Sequence, residues 1–284
     1  MRPTPELRRF ALGLLLVLLT ACGAQQPHQT AMAVGASTDP ESALLANLYA
    51  AALRAYGTPA RVEVVADPLA ALDSGQVSVM PAFTGQVLQT FQPGAPARSD
   101  EQTYKAMVAT LPEGVSVGDY TTAAEDKPAI AVTGETAAAW GGRDLKALVR
   151  NCAQVTVGGV TGVHRPAAVG GCTLPAVREF SDATALFDAL RSGQVRAAWT
   201  TTADPAVPAD IVVLADRKPA LIQAQNVVPL YRRNELSQQQ VLAINQVAGV
   251  LDTAALKQMW TQVDGGANPQ TVADAWLADN PLGR

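Results

Sequence analysis

From residue 31 onward, short apolar runs alternate with stretches whose apolar residues recur every three or four positions. Residues 31–35 read as a strand. Leu45, Tyr49, Ala52 and Tyr56 then share one helical face. Asp39-Pro40-Glu41 is a suitable start for that helix, an N-cap followed by proline, and Gly57 is a suitable end. Residues 61–66 predict a second strand. Asp67-Pro68 opens a short helix to Ser74-Gly75, and residues 76–80 predict a third strand. This βαβαβ order predicts a largely parallel sheet with helices on its faces.

A second run of elements begins near Lys127. Strands are expected at 129–133, 155–157 and 211–214, with helices at 144–149 and 182–191, and a strand ending near Trp199. Residues 220–231 are extended and apolar. The remainder is helical: Val241, Ile244, Ala248 and Leu251 share one face, Leu256, Trp260 and Val263 another, and a last helix covers 272–278. Trp140, Trp260 and Trp276 fall on helical patterns and read as core.

An internal echo ties the two runs together. Ala71-Leu72-Asp73-Ser74-Gly75-Gln76-Val77 recurs as Ala189-Leu190-Arg191-Ser192-Gly193-Gln194-Val195, with one difference in seven positions. Each copy reads as a helix end, a glycine able to take positive φ, and entry to a strand. Two lobes on one βα scheme are therefore expected. The first is discontinuous (31–125 plus 226–284) and the second covers 126–225, with the chain crossing between them near 120–130 and 215–230. Ligands favour such clefts.

The first thirty residues stand apart. Arg2, Arg8 and Arg9 precede an apolar run over 10–19, then Leu19-Thr20-Ala21-Cys22. A basic start, a ten-residue apolar stretch and small residues before a cut site describe an export signal over 1–21. The run is short of the roughly 20 apolar residues a spanning helix needs. Leu-Thr-Ala-Cys resembles a bacterial lipobox, in which Cys22 is acylated and becomes the new N-terminus. Residues 22–30 then read as a flexible tether holding a soluble body at the outer face of the cell membrane.

Composition narrows the function. The 284 residues carry 21 Lys+Arg against 25 Asp+Glu, a net charge of −4, so there is no basic footprint for nucleic acid. Charged residues make up 16% and hydrophobic ones 48%, which fits folded cores rather than a disordered chain. Beyond Cys22 only Cys152 and Cys172 remain. In an exported body they are expected to form a disulfide, with two free thiols or a metal site as alternatives. His164 is the one nitrogen ligand near them. With His28 in the tether, His164 is also the sole histidine available to a catalytic triad, and no Gly-x-Ser-x-Gly, His-Glu-x-x-His or phosphate-loop pattern occurs. No cofactor or metal site is expected, and a binding protein is favoured over an enzyme.

Several stretches, in order, carry a resemblance. Residues 74–85, Ser-Gly-Gln-Val-Ser-Val-Met-Pro-Ala-Phe-Thr-Gly, resemble the SGEIDIYPEYTGT stretch of the substrate-binding lipoproteins of osmoprotectant ABC importers, the glycine betaine/choline/carnitine type. Residues 189–195 are similar to that family's ALKNGEVD, residues 212–218 to its VVLEDDK, Asn226-Val227-Val228-Pro229 to NAAPV, and Gln262-Val263-Asp264 to QVD. The resemblance implies a type II periplasmic-binding-protein fold, two α/β lobes around an interlobe ligand cleft. It implies as partners a small solute and an ABC permease with cytoplasmic ATPase subunits.

Family members hold a quaternary ammonium in an aromatic cage and its carboxylate with basic and hydroxyl groups. The resemblance places Thr84 and Arg165 at carboxylate-binding positions, with Thr84 also opening a helix whose N–H groups suit an anion. The family's first-loop lysine aligns near Ser37. Its cage tyrosines align near Pro128, Thr201 and Gln225, none aromatic, while Phe83 replaces a tyrosine and Trp199 lies two residues early. Asp204 matches a family aspartate or caps a turn. Ser37, Phe83, Thr84, Arg165, Trp199, Thr201, Gln225 and Asn226 are thus the candidate ligand residues. Their polarity, with Thr200 and Thr202 beside them, implies a small polar or zwitterionic solute. The alternative is an envelope sensor or scaffold that keeps the fold without betaine binding.

Overall fold

The computed structural model describes residues 30–163 and 165–283. The export signal, Cys22, the tether up to residue 29 and His164 lie outside the described residues.

The chain begins with β1 (Met32–Ala36), α1 (Pro40–Ala55), β2 (Ala60–Val64), α2 (Pro68–Ser74), β3 (Val79–Phe83), α3 (Thr84–Phe91), α4 (Asp100–Thr110) and β4 (Val115–Val117). It continues through β5 (Pro128–Thr133), α5 (Gly134–Ala139), α6 (Leu145–Arg150), β6 (Val157–Val160), β7 (Ala168–Val169) and β8 (Cys172–Thr173). After β9 (Arg178–Phe180), α7 (Ala183–Arg191), β10 (Ala197–Thr201) and β11 (Ile211–Val213), it returns in β12 (Val227–Arg232). It ends in α8 (Gln238–Val250), α9 (Thr253–Asp264) and α10 (Pro269–Asp279).

Local chemistry sets many helix starts. The Asp39 carboxylate accepts from Ser42 N and that of Asp67 from Leu69 N and Ala70 N, each just before a proline whose missing N–H costs the first turn nothing. Ser237 and Gln240 form a reciprocal capping box at α8.

Among the described residues the strands form two five-stranded sheets and one two-stranded pair. The first sheet runs β2-β1-β3-β12-β4 and the second β9-β6-β10-β5-β11. The two orders superpose strand for strand. β1 is parallel to β2 and β3, as β6 is to β9 and β10, while β12 and β5 each run against both neighbours. Those two strands are the ones the chain enters after each crossing.

The sequence echo lands on equivalent joints. After α2, Gln76 N and Val77 N both bond to Ala71 O; after α7, Gln194 N and Val195 N both bond to Ala189 O. Ser74 Oγ donates to Ala71 O and Ser192 Oγ to Ala189 O. Gly75 and Gly193 hold φ of 81° and 74°, and Val77 and Val195 are buried. This backward bonding delays the following strand, so β3 starts at Val79 rather than at the expected residue 76. β6 likewise begins two residues later than the pattern suggests, after a short 3-10 turn over Cys152–Gln154.

Both faces of each sheet are covered. On one face of the first sheet α1 packs Leu44, Leu48 and Leu53 with Ile244, Val247 and Leu256; on the other lie Leu72, Leu88, Met107 and Leu230. The second sheet has Ile130, Trp140, Leu148 and Trp199 on one face and Leu186, Phe187 and Leu190 on the other. Trp140 follows α5 and is fully packed, while Trp260 and Trp276 pack at the margin of the first core. Cys152 and Cys172 are disulfide-bonded with Cα atoms 5.7 Å apart, tying the turn after α6 to β8.

Candidate functional site

The two crossings meet in a hydrogen-bonded seam. Thr84, at the junction of β3 and α3, is fully buried. Its N–H donates to Asn226 O, and its hydroxyl accepts from Asn226 N at 3.1 Å. Asn226 Nδ2 donates to Thr121 O on the other crossing, and Asp126 N donates to Gln225 O. The side chain of Gln225 bends onto α3, where its Oε1 accepts from Gln86 N at 2.9 Å. The N-terminus of this helix, expected from sequence to suit an anion, is thus occupied by the chain's own amide. Gly85 permits that approach, since a Cβ there would lie 2.6 Å from Ala224 O and 2.7 Å from Gln225 Nε2.

Ser37 and Phe83 line one cavity of about 290 Å³ together with Asp39, Glu41, Ser42 and Gln86. Its apolar lining includes Leu69, Met80, Pro81 and Val87. Among the described lining residues there are two carboxylates, no cation, and Phe83 as the single aromatic. Glu41, in the first turn of α1, is only 7% exposed, and its Oε1 has no hydrogen-bond partner. Burial first, then the charges of Asp126, Asp39 and Asp204, push its pKa up to about 9. A helix N-terminus stabilises a carboxylate by at most about 2 kcal/mol, which does not offset burial among like charges.

Asp126, on the first crossing, is close enough for its charge to act on Glu41 but does not itself line this cavity. Burial pushes it up to about 6, partly countered by the Thr201 hydroxyl and by Ala203 N, which donates to Oδ1 at 2.7 Å. Thr201 makes no hydrogen bond of ordinary geometry from its buried Oγ1. Asp204 caps a turn by accepting from Ala206 N and also takes the Thr200 hydroxyl at 2.6 Å. Thr202 is a structural joint, donating to Glu125 O and accepting from Lys127 N. Glu41 and Asp126 were absent from the sequence-derived set. A glutamate in the first turn of a helix reads as an ordinary complement to the helix dipole. Asp126 becomes notable only through Ala203, 77 positions away.

A separate cavity of about 490 Å³ opens beside the crossings, lined by Arg98, Glu125, Lys127, Asp216, Lys218 and Asn226 among others. Lys127 is 8% exposed and lies 3.2 Å from Glu125 and 3.4 Å from Asp216. Asn226 Oδ1 is buried without a partner.

Two candidates are committed elsewhere. Arg165 donates to Val160 O and pairs with Glu179, so its guanidinium is engaged within the second sheet's edge. Trp199 lies within β10, 4% exposed in the second core, with an indole N–H that meets no acceptor. The structure therefore puts Ser37 and Phe83 on the 290 Å³ cavity, Thr84, Gln225 and Asn226 in the seam and Thr201 beside Asp126, and leaves Arg165 and Trp199 in other contacts.

Two five-stranded sheets of matching strand order, joined by two crossings, define the type II periplasmic-binding-protein fold. Residues 31–279 match the OpuAC family, the substrate binding domain of the ABC-type glycine betaine transport system, and the chain belongs to that family. It is a substrate-binding protein of an ABC importer, and the family is one of transport proteins, not of enzymes. Among solved structures, the chain is similar to one described as a glycine betaine/carnitine/choline ABC transporter, with TM-score 0.73 and 17% identity over 88% of this chain and 98% of the other. It is similar to apo YehZ from Escherichia coli, with TM-score 0.70 and 20% identity over 89% and 99%. It also resembles an ABC-transporter choline binding protein in complex with choline, with TM-score 0.56 and 15% identity over 88% and 89%. No curated protein sequence matches the chain.

Proposed function

We propose that the chain is an exported lipoprotein, anchored through Cys22 at the outer face of the cell membrane, whose lobes (31–125 plus 226–284, and 126–225) close over a small polar or zwitterionic solute. It then delivers that solute to a permease driven by cytoplasmic ATPase subunits. The observation that carries this reading is the chemistry of the cleft. Ser37, Ser42, Gln86 and Thr90 offer hydroxyl and amide groups, while Phe83 is the single aromatic among the described residues lining the cavity. One aromatic face supplies about 0.5–2 kcal/mol to a cation, well short of a cage. Hydrogen bonding must therefore carry recognition. On this reading Ser37 serves as a ligand group and Thr201 supports Asp126, whereas Thr84, Gln225 and Asn226 shape the cleft through the seam. Lobe closure links binding to transport, because the permease can distinguish loaded from empty forms.

A thermal-shift screen of the mature chain over betaines, choline esters, amino acids, amines and sugars tests the reading, since a bound solute raises the melting temperature by mass action. At least one hit is expected, and a flat screen would sink it. Anchoring is checked separately: the wild-type protein should fractionate with membranes and incorporate labelled palmitate, and Cys22→Ser should do neither.

A further inference from the structure

The cleft has a polarity that a betaine site does not require. Asp39 just before α1, Asp126 from the first crossing and Asp204 from the turn after β10 each act electrostatically on Glu41 of α1, and Asp204 acts on Asp126 as well. The nearest buried cation of the crossings, Lys127, is already held by Glu125 and Asp216. Asp204 is satisfied by Thr200 and Ala206, and Asp39 by Ser42 N. Of these four carboxylates only Glu41 has a buried oxygen with no donor, in a residue more than nine-tenths buried that lines the 290 Å³ cavity. Buried carboxylates are normally hydrogen-bonded, so an orphan at a cavity wall marks a missing donor. Among the described residues no three His, Cys, Asp or Glu side chains are grouped to hold a metal ion, so the donor fits an organic group.

We propose that the cleft takes an organic cation bearing N–H groups, a protonated amine or guanidinium, whose N–H donates to Glu41 while its carbon body lies on the apolar wall of Leu69, Met80 and Val87. This rests on the solute-binding reading above and names the ligand class within it. A quaternary ammonium has no N–H and leaves Glu41 Oε1 as it is; a protonated amine supplies both the donor and the opposite charge. Proton balance follows from the same geometry. In the empty cleft Glu41 is held protonated at neutral pH by its burial and by Asp39, Asp126 and Asp204. When the cation arrives, the carboxyl proton passes to solvent and the carboxylate pairs with the ligand.

The test is calorimetric titration of the mature chain at pH 7 with ethanolamine, its N-methyl and N,N-dimethyl derivatives and choline. Putrescine, L-arginine and glycine betaine extend the series. Runs in buffers of different ionisation enthalpy count protons. The expected result is affinity at least tenfold higher for an N–H-bearing cation than for choline or glycine betaine, with close to one proton released. Glu41→Gln should remove the proton release and weaken that cation at least tenfold. Asp126→Asn, measured alongside, should weaken it less and keep part of the release. Tightest binding by choline, glycine betaine or a neutral sugar would overturn the proposal while leaving the solute-binding reading intact, as would Glu41→Gln binding the amine as tightly as wild type. Binding of no solute from any class would remove both.

Discussion

Glu41 and Lys127 are nearly equally buried, at 7% and 8% exposure, and both lie by the crossings, yet their surroundings are opposite. Lys127 stands between two carboxylates, and its backbone N–H is bonded to Thr202. Glu41 stands among three carboxylates with one oxygen unmet. A buried charge survives in a fold when partners are supplied, and otherwise gives up its ionisation. Lys127 therefore reads as part of the framework and Glu41 as part of the site. Equal burial does not imply equal purpose.

The contrast can be broken most directly at Lys127. Lys127→Met should destabilise the protein by about 3–5 kcal/mol, because it leaves the buried Asp216 without its cation; urea denaturation measures this, and a neutral result would make Lys127 dispensable. Glu41→Gln should act in the other direction. A carboxyl whose folded pKa is raised contributes stability that is complete below its unfolded value and is lost as pH rises through the folded one. The melting temperature of the empty wild-type protein should therefore fall between about pH 4.5 and 9, with Asp126 adding to the fall between about pH 3.8 and 6. Glu41→Gln should flatten the upper part of that profile and gain on the order of 2 kcal/mol at pH 8, once the amide's own unmet hydrogen bonds are discounted.

Thr84→Val comes next, at about 1–3 kcal/mol of destabilisation, since it strands the buried Asn226 N–H. Because Thr84 serves the seam, amine affinity should change less than stability does, and calorimetry on the variant would show whether that separation holds. The smallest effects compare the lobes themselves. Gly75→Ala and Gly193→Ala should each cost about 1 kcal/mol, both occupying positive φ. Gly75 should cost slightly more, because Arg232 lies 3.4 Å from the added methyl and open space surrounds the other. Unequal losses of several kcal/mol would mean the two joints are not mechanical equivalents.

What sequence reveals here is what is local. The aspartate–proline helix starts and the repeated turn are short-range chemistry, and each forms where the pattern puts it. The echo was the best guide to architecture, since its two copies end in equivalent strands. The helix Asp100–Thr110 is hardly legible, because only Thr103 and Met107 are buried on it. The site is less legible still. Thr84 and Asn226, 142 positions apart, define each other, and Gln225 fills a helix end 139 positions away. No spacing rule carries that information. The low aromatic content, 5%, suggests a cleft without an aromatic cage, but says nothing of the carboxylates Asp39 and Glu41 in the cavity lining.

The seam also fixes where the molecule can bend. Thr84 and Thr121 both bond to Asn226, which ties the two crossings to each other beside the first sheet. Just beyond, Lys127 and Asp216 fasten one crossing to the other. Two ropes tied together at the same height cannot swing independently. On the proposed reading, turning of the second lobe carries both crossings as a single pin, with Asp126 at its root and Glu41 beside it.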